Sequence, residues 1–136
     1  MNKKVLVLCT GNSCRSIIAE ALINHRFKGQ IEAYSSGVSA SGKVNPKAKK
    51  ILEENEMWKS SYHSKDIESI IHIPFDLVIT VCENASQTCP VFPSNIPVTH
   101  MGFNDPDGED FEAFELCFEQ IKENLLPFIN TYVVDD

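Results

Sequence analysis

The sequence contains no long hydrophobic run, and it is poor in basic residues. Its longest apolar run near the N-terminus, Val5–Cys9, is too short for the core of a signal peptide and far too short for a membrane span. The 12 Lys and Arg residues stand against 19 Asp and Glu residues, and the formal net charge of -7 disfavours binding to nucleic acids and acidic membranes. We therefore expect a cytoplasmic protein in which any bound anion is held by local groups.

Internal repeats, low-complexity segments and domain linkers are missing as well. Because the length is ordinary for one domain and 43% of the residues are hydrophobic, we expect residues 1–136 to form a single domain, and we expect a monomer. The four histidines show no metal-ligand spacing. Structural disulfides are rare in cytoplasmic chains. Catalytic, redox or metal-binding roles, or simple burial, remain open for five cysteines: Cys9, Cys14, Cys82, Cys89 and Cys117.

Predicted strands and helices alternate along the chain. The predicted strands are Lys4–Leu8, Ile31–Ser35, Phe75–Val81 and a short strand beginning at Val98. The predicted helices are Ser16–Phe27, Asn45 to about Glu56, Ser64–Ile71 and Asp110–Ile129. This order indicates an α/β fold, a four-stranded parallel sheet with helices on both faces.

The most informative segment is CTGNSCRS, Cys9–Ser16, at the predicted turn from the first strand to the first helix. Backbone N–H groups in such a turn favour an anion, and Arg15 adds a planar fork of donors that suits phosphate-like oxygens. We expect the same positive field to lower the pKa of Cys9 and keep it as the nucleophilic thiolate. A buried cysteine followed by a surface arginine is the alternative. The predicted oxyanion site, here called the cradle, consists of Thr10, Gly11, Asn12, Ser13, Cys14, Arg15 and Ser16.

A second pair of cysteines, Cys82 and Cys89, follows the third predicted strand. Because the carboxyl ends of parallel strands meet at one edge of a sheet, Cys82 is expected near Cys9. In a continuous helix the Cα atoms of Cys82 and Cys89 would lie about 10 Å apart, whereas a disulfide needs roughly 7 Å or less. A bond between them therefore requires the segment to unwind or loop, which its polar composition and Pro90 allow. A redox pair is favoured over two small residues buried on a loop.

Asp105 follows the fourth predicted strand, at the same edge of the sheet. The pairs Asp105-Pro106 and Asp107-Gly108 are typical of turns, and spacing alone favours that interpretation. If Asp105 overhangs the cradle, its carboxylic acid can protonate a departing hydroxide or alkoxide. Asp105 is therefore a candidate general acid.

Together these residues resemble the low-molecular-weight tyrosine phosphatase fold, with CTGNSCRS after a first strand and Asp-Pro late in the chain. Within that fold, the pair Cys82 and Cys89 and the stretches YSSG, VNPKA and HMGFNDP resemble the thioredoxin-coupled arsenate reductases. The resemblance implies that arsenate, or phosphate or sulfate as its analogue, occupies the cradle, and that Cys9 attacks arsenic while Asp105 protonates the departing hydroxyl. It further implies that Cys82 attacks Cys9 and releases arsenite. Cys89 then forms a disulfide with Cys82, and thioredoxin reduces it.

The resemblance also implies a potassium ion beside the cradle, held by Asn12, Glu20, Ser35 and Asp66, and no required cofactor. Two residues depart from the usual pattern of the relatives: Met101 replaces Trp, and Asn104 replaces Asp. The acidic stretch 107–110 lacks the aromatic residues with which the phosphatases hold phosphotyrosine. A phosphatase using Cys9, Arg15 and Asp105 is the first alternative, and a non-catalytic oxyanion sensor is the second.

Overall fold

A computed structural model of the chain describes residues 3–87, 92 and 96–134. Four parallel strands form one sheet in the order β2-β1-β3-β4. The strands are β1 (Lys3–Cys9), β2 (Ile31–Gly37), β3 (Leu77–Thr80) and β4 (Val98–His100). The helices are α1 (Arg15–Arg26), α2 (Pro46–Glu54), α3 (Glu83–Gln87) and α4 (Phe111–Val134). The predicted α/β fold with a four-stranded parallel sheet is confirmed.

The central strand β1 lies in the middle of the core. Its side chains from Val5 to Leu8 are all 0% exposed, and successive strand side chains point to opposite faces. Both faces of the sheet are therefore covered. Helix α1 packs against β1 and β2, and α4 packs against α1. The buried side of α4 carries apolar residues three or four positions apart: Phe114, Phe118, Ile121, Leu125 and Ile129.

Helix α2 begins where the sequence predicts. The Asn45 side chain accepts a hydrogen bond from the N–H of Lys47 at 2.8 Å, and Pro46 occupies the first helical position. The helix ends at Glu54, slightly earlier than predicted, and the left-handed backbone of Glu56 (φ 58°) prevents its continuation.

The predicted helix Ser64–Ile71 is wrong. Only a single 3-10 turn, Ile67–Ser69, forms there. The two residues expected to start the helix make long-range contacts instead: Ser64 Oγ donates to the carbonyl of Gly11 at 2.9 Å, and Asp66 Oδ1 accepts from the N–H of Ala40 at 2.8 Å. Tertiary contacts thus use the side chains that would otherwise cap a helix.

Other boundaries shift modestly. Strand β3 is shorter than predicted, and α4 continues past Ile129 to Val134 with Pro127 inside it. Phe128 is only partly buried because Ile129 takes the core position one turn after Leu125. None of the described helices combines the length and the apolar character needed to cross a membrane.

Candidate active site

The cradle connects β1 to α1, and its carbonyl groups point outward. Hydrogen bonds of 2.9–3.0 Å join them to the segments after β2: Cys9 O to Val38 N, Thr10 O to Ser39 N, Gly11 O to Ser41 N and Ser13 O to Asn45 N. In a trans peptide the N–H points away from the C=O. The N–H groups that follow these carbonyls therefore point into the turn, where an oxyanion would lie.

Gly37, the last residue of β2, allows the close approach of β2 to the cradle. A Cβ atom on Gly37 would lie 2.3 Å from the carbonyl oxygen of Thr10 and 3.2 Å from Cβ of Asn12. Any larger residue would push the cradle out of place. Sequence reasoning missed this requirement, and the glycine of the YSSG stretch was its only signal.

Asn12 holds the middle of the cradle. Its backbone is left-handed (φ 51°), a conformation that Asn tolerates better than most residues, and its side chain is 0% exposed. The amide nitrogen donates to Ser16 Oγ at 2.8 Å and to Ser35 Oγ at 2.9 Å, while the amide oxygen accepts from the N–H of Lys65 at 2.9 Å. Asn12 and Ser16 therefore fix the shape of the cradle.

Arg15 presents an unsatisfied donor. Its Nη1 donates to the carbonyl of Phe103 at 2.9 Å, and its Nη2 lies 3.4 Å from Oδ2 of Asp105. Its Nε is buried and has no hydrogen-bond partner among the described residues. Buried donors of this kind are normally paired. An oxyanion in the cradle would supply the acceptor.

The structure brings Cys82 against Cys9, as the topology predicts. The two thiols interact: Cys82 raises the pKa of Cys9, and Cys9 lowers the pKa of Cys82. The sulfur of Cys82 also lies 3.1 Å from Oγ1 of Thr10, and it accepts the N–H of Ala85 at 3.4 Å. Cys82 directly precedes α3, so its sulfur takes the place of a helix-capping side chain.

The expected low pKa of Cys9 is wrong for this state of the site. Burial raises the pKa of the Cys9 thiol to about 12 and outweighs the opposing effect of Arg15, while Cys82 raises it further. Burial also acts to raise the pKa of Cys82, but hydrogen bonds from Thr10, the Ala85 N–H and Cys9 outweigh it, and the net shift is downward. Of the two thiols, Cys82 is therefore the one that ionises more readily.

Asp105 lies beside Arg15 of the cradle, with about half of its side chain exposed. Its Oδ1 accepts the N–H of Asp107 at 3.0 Å, and Oδ1 of Asp107 accepts from the Asn45 side chain at 2.8 Å. The N-terminus of α2 thus anchors the turn that carries the candidate acid. The neighbouring Asn104 is exposed, and Met101 packs partly against the core.

The remaining cysteines divide into two kinds. Cys14 and Cys117 are buried, and burial raises their pKa values to about 12 and about 11. Both therefore stay protonated near neutral pH, in keeping with packing roles. Cys89, the expected partner of Cys82, lies outside the described residues.

Three of the four expected potassium ligands are joined directly. Asn12 donates to Ser35, and Ser35 Oγ donates to Oε1 of Glu20 at 2.5 Å. Burial raises the pKa of Glu20 from 4.5 to about 7, so its negative charge lacks full compensation. The Asp66 carboxylate contacts the Ala40 N–H instead, although Asp66 pairs with Gly37 through the backbone. Glu20 and Ser35 therefore offer buried oxygens of the type that a hard cation needs, whereas Asn12 turns its amide nitrogen toward Ser35.

Comparisons with known proteins give one consistent result. The family described as low molecular weight phosphotyrosine protein phosphatase matches residues 4–133. Arsenate reductase 2 of Staphylococcus saprophyticus is 36% identical over 129 residues, which cover 94% of this chain and 98% of the relative. The structure of an arsenate reductase from Archaeoglobus fulgidus matches with a TM-score of 0.79 and 31% identity, covering 93% of this chain and 98% of that one. The thioredoxin-dependent arsenate reductase of Corynebacterium glutamicum matches with a TM-score of 0.73 and 28% identity, covering 96% of this chain and 63% of that one.

Proposed function

The chain belongs to the low-molecular-weight phosphotyrosine protein phosphatase family, and from this premise we propose that it reduces arsenate to arsenite with three cysteines, Cys9, Cys82 and Cys89. The contact between the Cys9 and Cys82 thiols carries the proposal. A phosphatase needs a cradle, an arginine and an acid, but it has no use for a second thiol against its nucleophile. The arsenate reductases among the relatives support the same chemistry.

In the first step arsenate binds in the cradle and Cys9 attacks arsenic. Proton transfer from the Cys9 thiol to the neighbouring Cys82 leaves a thiolate on Cys9 and a thiol on Cys82. The inward N–H groups and the Nε of Arg15 stabilise the oxyanion. A sulfur–arsenic bond forms, an arsenic–oxygen bond breaks, and Asp105 protonates the hydroxide that leaves as water.

In the second step Cys82 passes the proton that it accepted to an oxygen on arsenic, and the resulting thiolate attacks the sulfur of Cys9. The new sulfur–sulfur bond replaces the sulfur–arsenic bond, whose electron pair stays on arsenic. Arsenic is thereby reduced from the pentavalent to the trivalent state and leaves as arsenite, while the two cysteines are oxidised to a disulfide. The proximity of the two sulfurs removes most of the cost of bringing them together.

In the third step Cys89 attacks Cys82, and Cys9 leaves as a thiolate. Arg15 and the N–H of Thr10 stabilise that leaving group. Because α3 is helical over Glu83–Gln87, we expect its turns to open as Cys82 bonds to Cys89. A dithiol reductant of the thioredoxin class then reduces the Cys82–Cys89 disulfide, as the name of the Corynebacterium glutamicum relative suggests.

A potassium ion is proposed beside the cradle, held by Glu20 and Ser35 with Asn12 and Asp66. It would compensate the buried carboxylate and so keep Asn12, which contacts Ser35, in place. The ion takes no part in the steps above.

Mass spectrometry of the alkylated protein after arsenate treatment without reductant tests the function. We expect two free thiols to disappear and a Cys82–Cys89 disulfide to accumulate, whereas phosphate should cause no loss. Cys89→Ser should stop at a Cys9–Cys82 disulfide, and Cys117→Ser serves as the matched control that still forms Cys82–Cys89. If arsenate binds without any loss of thiols, the protein is a sensor and the reductase proposal fails.

The phosphatase alternative rests on one specific observation, the assembly of Cys9, Arg15 and Asp105 around the cradle. It predicts hydrolysis of aryl phosphates that Cys82→Ser leaves intact. The acidic residues Asp107, Glu109 and Asp110 are exposed on the neighbouring turn and would repel a phosphorylated protein. We therefore expect such hydrolysis only as a slow side activity.

A further inference from the structure

His100 bridges the chain on both sides of Cys82. Its Nδ1 lies 2.8 Å from Oγ1 of Thr80, the last residue of β3, and its Nε2 lies 3.6 Å from Oε2 of Glu83, the first residue of α3. Thr80 is buried, His100 is partly exposed, and Glu83 is mostly exposed. One imidazole ring thus connects the fixed end of the sheet to the start of the helix that follows Cys82.

The ring occupies a space that the chain keeps open. A Cβ atom on Gly102 would lie 3.2 Å from Nε2 of His100, so a glycine at this position leaves room for the ring. The backbone beside it is well fixed, because the N–H of Met101 donates to Thr80 at 2.8 Å and that of Phe103 donates to Val81 at 3.1 Å. These backbone hydrogen bonds reach as far as Val81, one residue before Cys82.

Beyond Val81, the position of Cys82 depends on α3. The helix has five residues, its Ala85 is 0% exposed, and the Ala85 N–H donates to the sulfur of Cys82. That hydrogen bond exists only while the first turn of α3 is formed. Whatever fixes Glu83 therefore also fixes the hydrogen bond to the sulfur.

We propose that His100 is a positioning residue for Cys82: by contacting Thr80 and Glu83 together, it holds the first turn of α3 so that the Cys82 sulfur stays beneath the Ala85 N–H and against Cys9. The catalytic consequence rests on the proposed function, whereas the positioning itself does not. Both ring nitrogens find a partner in either charge state. Nδ1 donates to Thr80 when the ring is protonated and accepts from Thr80 when it is neutral, and in both states an Nε2–H can face the Glu83 carboxylate 3.6 Å away.

The contact between His100 and Glu83 must also be weak enough to break during the reaction. Opening of α3 in the third step separates Glu83 from His100, and a contact with one mostly exposed partner breaks at little cost. A strong, buried pair would hold Cys82 on Cys9 and slow the transfer to Cys89. The partial exposure of this pair suits both requirements.

Two substitutions of His100 separate its contacts. In His100→Asn the amide nitrogen reaches the place of Nδ1 and keeps the Thr80 contact, but the side chain is too short for Glu83. In His100→Gln the amide nitrogen reaches the place of Nε2 and keeps the Glu83 contact. Glu83→Ala removes the carboxylate that His100 contacts. The control is Glu119→Gln, which changes an exposed glutamate on α4.

The first measurement needs no arsenate. In a Cys9→Ser, Cys89→Ser background, the ionisation of Cys82 is followed by thiolate absorbance and by its rate of alkylation at fixed pH. We expect His100→Asn and Glu83→Ala to slow alkylation about two- to fivefold, the effect of one partly exposed ion pair. We expect Cys82 of the His100→Gln and Glu119→Gln proteins to be alkylated at nearly the rate of the parent.

The second measurement follows formation of the Cys9–Cys82 disulfide in a single turnover of the Cys89→Ser protein with arsenate. The rate should fall by the same factor in His100→Asn and Glu83→Ala, while the affinity for arsenate stays constant. An unchanged Cys82 ionisation in both variants, or an equal change in His100→Asn and His100→Gln, overturns the positioning role. A parent protein that does not reduce arsenate overturns the proposed function alone, because the alkylation result still stands.

Discussion

Arg15 and Asp105 form an ion pair at the cradle, with Nη2 of the arginine 3.4 Å from Oδ2 of the aspartate. Arg15 is largely buried, whereas half of the Asp105 side chain is exposed. The arginine that should bind an oxyanion is thus shared with the residue that should protonate the leaving group. An arriving oxyanion competes with Asp105 for Arg15 and favours the protonated acid, because two negative charges would otherwise lie side by side.

This arrangement predicts opposite effects of Asp105→Asn on binding and turnover. Without the carboxylate, Arg15 loses its competitor and the cradle should bind phosphate several-fold more tightly. Arsenate turnover should fall about 100-fold or more, because the amide cannot supply a proton. Calorimetric titration with phosphate and steady-state kinetics measure the two quantities. A parallel loss of affinity and turnover would contradict the competition.

Gly37→Ala should damage the cradle. The added Cβ atom would lie 2.3 Å from the carbonyl oxygen of Thr10, so the turn must move, at a cost of about 1–3 kcal/mol in the free energy of unfolding. Phosphate affinity should fall with it. Gly29→Ala is the matched control: its backbone is left-handed (φ 84°) but its surroundings are open, so it should cost stability and leave phosphate affinity intact. Equal phosphate affinities in the two variants would contradict the role of Gly37.

The buried Glu20 predicts a loss of stability as the pH rises. Burial raises its pKa in the folded state from 4.5 to about 7, so the folded protein binds the proton more tightly than the unfolded chain. The stabilisation of the folded state by proton binding to Glu20 is complete below pH 4.5 and is lost as the pH rises through about 7. Thermal unfolding should show this loss in the parent and not in Glu20→Gln.

Potassium should restore part of that stability. Above pH 7 the ion would compensate the ionised Glu20, and the melting temperature of the parent should rise when potassium chloride replaces choline chloride at equal ionic strength. Glu20→Gln should show no such difference. A parent that responds equally to the two salts would remove the potassium site and leave the thiol chemistry untouched.

Asn45 has two separable roles. Its oxygen caps α2 through the Lys47 N–H, and its nitrogen donates to Asp107 on the turn that carries Asp105. Asn45→Asp keeps the cap but places a carboxylate against Asp107, so we expect nearly unchanged stability and lower turnover. Asn45→Ala loses both contacts and should also destabilise the protein by about 1 kcal/mol. Melting curves recorded beside turnover rates separate these outcomes, and equal turnover in Asn45→Asp and the parent would contradict the anchoring of the turn.

Local sequence patterns predict much of the site because the elements around it have strong signals. The apolar run of β1 and the cap at Asn45 place the cradle and α2, and parallel topology alone brings Cys82 to Cys9. Long-range contacts escape such reasoning. Ser64 has the sequence of a helix cap but binds the carbonyl of Gly11 fifty-three positions away.

The pKa of Cys9 could not be predicted for a similar reason. The sequence shows Arg15 but not the depth of the thiol, and burial outweighs the arginine. The sequence also does not show that the Cys82 thiol would lie close enough to Cys9 to alter its pKa. The balance between desolvation and charge is set by packing, which depends on residues from every part of the chain.

The outward hydrogen bonds of the cradle have a consequence for how such proteins diverge. All four backbone anchors come from residues 38–45, on the β2 side of β1, whereas Cys82 and α3 follow β3 on its other side. The backbone support of the cradle and the support of Cys82 are therefore largely separate, and they meet where Cys82 contacts Thr10 and Cys9. A lineage can gain or lose the cysteines after β3 while the anion site stays whole, so hydrolysis and reduction can evolve on the same scaffold.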